Sequence, residues 1–147
     1  MPNTCVVRVG RLMEIDVASG YKTPADVEDM IAMISSELAK LPAKTRVVIA
    51  ADWRPCTVFT PDVADRAVKM LTVINPRVER SAILHRADHA TSILQVFRLV
   101  KESHFEGRRL FTSAADMERW LAEVLSGAER DRLRAFVTPR GDASPRS

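Results

Sequence analysis

Apolar and polar positions alternate along residues 4–9 and 12–17, where Val7 and Val9 share one face and Met13, Ile15 and Val17 another. A period of two predicts two strands, and the Gly10-Arg11 pair between them suits a two-residue hairpin turn, because Gly takes positive φ without a Cβ clash. At Thr23 the period changes. Val27, Met30, Ile31, Ile34, Leu38 and Leu41 recur at spacings of three and four, which predicts a helix opened by Thr23-Pro24-Ala25-Asp26 and stopped by Pro42. Residues 46–51 form a nearly continuous apolar run, expected of a strand covered on both faces. Thr60-Pro61-Asp62 repeats the first cap signature, with Thr60 as the cap, ahead of the stripe Val63, Ala67, Val68, Leu71 and Ile74. Asn75-Pro76 closes that helix, and residues 78–84 read as a third interior strand.

Ile93, Val96, Phe97 and Val100 mark one face of a helix over 89–103, and a brief strand follows at 109–111. Ser113 then caps a helix carrying Met117, Trp120, Leu121 and Val124, which places Trp120 in the core. Ser126-Gly127-Ala128-Glu129 is a full capping box that opens a last helix anchored by Leu133, Phe136 and Val137. The segment 138–147 is polar, contains Pro and Gly, and is expected to be a disordered tail behind one domain spanning 1–137. The resulting order is ββαβαβαβα plus a C-terminal helix. This is an α/β chain with a mixed sheet that opens on a β-hairpin, continues through right-handed crossovers and carries helices packed on the sheet. Thioredoxin-like and flavodoxin-like folds share parts of this order, but neither a CxxC pair nor a phosphate-cradling Gly-rich loop occurs here.

Composition narrows the class without naming an activity. Of 147 residues 46% are apolar, which excludes an intrinsically disordered chain. A chain of this length buries enough surface to fold without a disulfide or metal staple. The first 20 residues hold no uninterrupted apolar stretch, so no signal peptide is read, and the expected location is cytoplasmic. No run is long and apolar enough to span a bilayer. Cys5 and Cys56 are expected to be reduced and structural there. Seventeen Arg and five Lys against 19 Asp and Glu give a net charge of +3. That excess is too small to indicate nucleic acid, and no aromatics interleave with the cations.

Three local patterns carry a family resemblance. They are the hairpin with Gly20-Tyr21-Lys22-Thr23-Pro24-Ala25-Asp26, the run RVVIAADWR (46–54) leading into FTPDVAD (59–65) and NPRVERSAIL (75–84), and RRLFTSAADMERWL at 108–121. Together with the element order they resemble the STAS/SpoIIAA-like family of anti-sigma-factor-antagonist folds, and within it an uncharacterised bacterial single-domain branch. The third pattern departs from the commonest form of that branch at Met117 and Glu118. The resemblance implies a non-enzymatic regulatory module, a kinase-type or other regulatory protein partner, and a phosphorylated hydroxyl at the helix start after the central strand. The matching region here is 52–60. It lacks the family's D-S-[ST]-G motif, and its hydroxyls are Thr57 and Thr60, the two phosphosite candidates. Asp52, Trp53, Arg54, Thr57, Phe59 and Thr60 make up the expected docking face, since Trp and Arg are common interface anchors. For Trp53, packing in the core is the competing reading.

Other constellations have plainer readings. His85, Asp88 and His89 contain metal-ligating types, but no fourth ligand or HExxH spacing supports a site, so Asp88 is expected to cap the next helix and both His to be solvated. Cys56 with Asp52 and a His lacks the features that activate a thiol, and no catalytic residue, metal or cofactor is expected. Arg77, Arg80, Arg86, Arg108 and Arg109 are candidates for one anion-binding patch at an end of the sheet, able to hold a lipid head group, a phosphate or an acidic protein surface. The alternative function is binding of a small ligand or lipid in a pocket between helices and sheet, with a small anionic ligand or lipid as the possible non-protein partner.

Overall fold

The computed structural model describes residues 2–143, with side chains to residue 137. In chain order the elements are β1 (Thr4–Val9), β2 (Leu12–Asp16), α1 (Pro24–Ala39), β3 (Val47–Asp52), α2 (Pro61–Ile74), a 3₁₀ turn (Asn75–Arg77), β4 (Val78–Leu84), α3 (Ala90–Glu102), β5 (Arg108–Phe111), α4 (Ala114–Ala122) and α5 (Gly127–Ala143). The five strands lie side by side in sequence order. β1 runs antiparallel to β2, and β2 to β5 are parallel, so the chain is of the α/β class with a mixed sheet opened by a hairpin. Gly10 sits in the hairpin turn at φ 56°, the left-handed conformation that the turn requires.

Strands laid down consecutively through crossovers of one hand return each helix to the same face. α1, α2 and α3 accordingly share a face. Val27, Met30, Ile34, Val63, Ala67, Met70, Val96 and Leu99 pack there on Met13, Ile15, Val47, Ile49, Ala51 and Ile83. The opposite face would be left bare, because no crossover reaches it. α4 and α5, which follow the last strand, cover it with Met117, Leu121, Leu133 and Val137 against Leu12, Val48, Ala50, Ala82 and Leu84. β3 is buried along its whole length, as its unbroken apolar run requires.

α5 is fastened to the hairpin by ion pairs as well as by packing. The buried carboxylate of Glu14 on β2 accepts from Arg132 Nε at 2.6 Å and from Arg8 Nη1 at 2.7 Å. The capping box of α1 forms as its sequence predicts, with Asp26 and Thr23 bonding each other's backbone N–H groups. That of α2 does not. Thr60 occupies the cap position, but its hydroxyl donates to Asp62 Oδ1 at 2.5 Å, and no side-chain cap bond to the helix is made. α5 extends to Ala143, past the expected boundary at 137, and residues 144–147 of the expected tail lie outside the described residues.

Candidate functional site

In parallel sheets the loops after the strands gather at the carboxyl edge, where ligand and partner contacts are usually built. The loop after β3 is anchored at several points. Asp52 ends the strand, buried, and its two carboxylate oxygens accept from Arg54 Nε and Nη2, each at 2.9 Å. Arg54 also donates to the Val137 carbonyl of α5 at 3.5 Å, which ties the loop to the far layer. Trp53 extends the ladder by donating its N–H to the Leu84 carbonyl at 2.9 Å.

The Trp53 side chain is 1% exposed. Its ring meets Tyr21 edge-on at 5.6 Å and Phe59 at 5.8 Å between centroids. Cys56 lies beneath, fully buried. Phe59 is buried as well, and its backbone is held in both directions by the side-chain amide of Gln95 on α3, at 2.7 and 2.9 Å. Asp52, Trp53 and Phe59 are therefore interior supports and offer no side chain to a partner, which corrects their expected place on the docking face. Of the six expected residues, Thr57 and Thr60 are exposed and Arg54 is half-buried. Val58, which the periodicity gave no reason to select, stands between them 54% exposed.

Thr57 lines a polar cleft of ≈ 440 Å³ shared with Ser19, Lys22 and Pro55. Its other wall is the β2–α1 loop, which Asn3 holds by accepting from Ser19 N–H at 2.8 Å and donating to the Gly20 carbonyl at 2.9 Å. Gly20, at φ 74°, lets the chain turn towards α1. Behind the cleft, Tyr21 buries its hydroxyl without a hydrogen-bond partner among the described residues, and burial pushes its phenol well above the usual value. The enclosed space between α1, α2 and the sheet measures ≈ 10 Å³, about the volume one water needs.

No family model, curated protein or solved structure matches this chain.

The five arginines expected in one patch are dispersed. Arg77 donates to the carbonyls of Thr45 and Pro42 at the amino end of β4, whereas Arg86 pairs with Asp88 beyond the carboxyl end of that strand. Arg108 is interior. Its guanidinium donates to Asn75 Oδ1 and Ser103 Oγ at 2.9 Å and to the Leu71 carbonyl at 3.2 Å, and burial lowers its pKa to about 10. Arg80 and Arg109 point to the other face of the sheet and clasp the half-buried Trp120, each 4.8 Å from a ring centroid. Alternation along the strands accounts for this, since neighbouring positions face opposite sides.

The histidine cluster also departs from expectation. Asp88 is held by Arg86, and His89 takes the cap position of α3 without a side-chain bond. His85 is not solvated but fully buried, with Nε2 at 2.9 Å from Ser92 Oγ and Nδ1 at 3.2 Å from the Arg86 carbonyl. A carbonyl only accepts, so Nδ1 carries the proton and Nε2 takes that of Ser92. The pair resembles a nucleophile and its base, yet Ser92 is 2% exposed, and the bond fastens α3 to the end of β4. Both thiols are free and buried. Desolvation, reinforced by Glu37 at Cys5 and by Asp52 at Cys56, pushes each up to about 12, far from a reactive thiolate. Among the described residues no group of three His, Cys, Asp or Glu side chains is placed to hold a metal, and no helix is long and apolar enough to cross a membrane.

Proposed function

We propose that this chain is a non-enzymatic regulatory module of the STAS-antagonist type, and that it docks a cytoplasmic protein partner on the rim formed by Thr57, Val58 and Thr60 with the adjoining cleft. One observation carries this reading: an exposed irregular segment whose backbone is fixed from below by Trp53, Phe59 and Gln95. A rim already ordered before binding loses little conformational freedom on association, which favours recognition through a small surface. Val58 supplies apolar contact, Thr57 and Thr60 supply hydroxyls, and Arg54 stands at the flank.

Of the two hydroxyls, Thr57 is the better site for a phosphate switch. It shares the cleft with the ammonium of Lys22, whereas a phosphate on Thr60 would face the Asp62 carboxylate that its hydroxyl now contacts. Ligand or lipid binding is less favoured, because ≈ 10 Å³ between helices and sheet does not seat an acyl chain.

Affinity capture from the native host with the wild type, Thr57→Arg and Val58→Asp tests the assignment. The two variants should fold normally and lose the partner retained by the wild type. Retention of every partner by both would remove this surface from consideration.

A further inference from the structure

α3 offers a second surface, remote in character from the polar cleft. Its inward side is filled by Ser92, Val96 and Leu99. Its outward side leaves Leu94 69% and Phe97 51% exposed, although both are large apolar side chains. They line a depression of ≈ 650 Å³ together with Arg98, Lys101, Glu102 and His104. Leu94, Phe97, Arg98 and Lys101 fall at spacings of three and four, so they form one continuous stripe along the helix.

The stripe also carries two cations, Arg98 and Lys101. Arg8, Arg11, Arg54, Arg66, Arg80 and Arg132 each have a carboxylate partner. Arg98 and Lys101 have none within ion-pair distance among the described residues. The ammonium of Lys101 instead lies over the Phe97 ring, 5.4 Å from its centroid. Two cations against the single carboxylate of Glu102 leave the surround of this apolar pair net positive, which is complementary to an apolar ridge bordered by carboxylates.

We infer that the outward face of α3 is a docking surface for an acidic amphipathic helix of another protein, with Leu94 and Phe97 receiving its apolar ridge and Arg98 and Lys101 pairing with its acidic flank. A second copy of this chain does not fit, because two such faces would bring like charges together. The chain's own C-terminal residues do not fit either, since 138–147 carry Arg140 and Arg146 against Asp142. This inference does not rest on the docking proposed for the Thr57–Thr60 rim.

The test uses the full chain and a synthetic amphipathic helix of about 15 residues, with Leu and Phe on one side bordered by Glu. Its controls are the same peptide with Lys for Glu, and phosphatidylserine-containing vesicles. The acidic peptide should shift the backbone amide resonances of α3, and its binding should weaken with salt. Phe97→Ser and Lys101→Glu should each reduce its affinity about tenfold while melting temperature and circular dichroism stay unchanged. The proposal is overturned if the Lys peptide binds equally well, if vesicles bind and the acidic peptide does not, or if neither variant alters binding.

Discussion

Glu129 Oε2 accepts the backbone N–H of Arg11 at 2.8 Å, joining the first turn of α5 to the β1–β2 hairpin across 118 positions of sequence. The other oxygen of the same carboxylate closes the capping box by accepting from Ser126 N–H at 2.8 Å. A Cβ on Gly10 would strike that carboxylate, so the glycine serves both the positive φ of the turn and the approach of the helix. Replacing Glu129 with Gln should cost about 2 kcal/mol in urea unfolding, because two charge-assisted bonds in a buried setting weaken together. Gly10→Ala should cost a similar amount.

The same carboxylate sets a pH dependence. Burial pushes it up, but bonds from Arg11 and Ser126 outweigh burial and hold it below the ordinary 4.5. A lowered folded value contributes stability that is present above pH 4.5 and is lost as pH falls through the folded pKa. Unfolding midpoints measured from pH 6 to about pH 3 should decline less steeply in Glu129→Gln than in the wild type.

His85 titrates the other way round from a salt-bridged histidine. Burial holds its imidazole below the ordinary 6.5, and the neutral ring suits both of its bonds. Protonation therefore favours the unfolded chain. Stability is full above pH 6.5 and declines as pH falls through the window below it. His85→Gln should be less stable at pH 8 and should lack that decline, as read by thermal melts across the range.

Arg108 is a buried guanidinium satisfied by neutral acceptors, and Phe105 stacks 5.2 Å from its centre. A lysine delivers one point of charge and cannot span the set. Arg108→Lys should destabilise the fold by about 2 kcal/mol, since Asn75, Ser103 and the Leu71 carbonyl lose partners together. It should leave capture of the partner at the β3 loop unaffected.

Trp53 separates support from contact. Trp53→Ala should cost about 3–5 kcal/mol, as large core aromatics do, whereas Thr57→Ala should stay within about 0.5 kcal/mol. Chemical denaturation of the two proteins measures the difference directly.

Much of the architecture was legible in the pattern of residues, and the reasons are local. Val47–Asp52 reads as an interior strand because every position is apolar or small until its last. Thr23 and Ser126 read as helix starts because their partners lie three positions on. The candidate site was less legible, because its order depends on residues distant in the chain. Nothing around Gln95 announces that its amide brackets Phe59 from α3, and nothing around Arg108 announces that it turns inward to Asn75 and Ser103. Trp53 was open to two readings because a loop aromatic looks the same in sequence whether it faces a partner or Tyr21. Thr60 repeated the Thr-Pro-Asp signature of α1, yet its hydroxyl turned to Asp62 instead of the helix.

Docking of a partner on the rim after β3 can be read by site-specific photocrosslinking in the native host. A benzophenone side chain replaces Val58 in one protein and Asp65, on the exposed side of α2, in another. Position 58 should give a discrete protein adduct that is absent from position 65. No adduct at 58, or the same adduct from both positions, would contradict it.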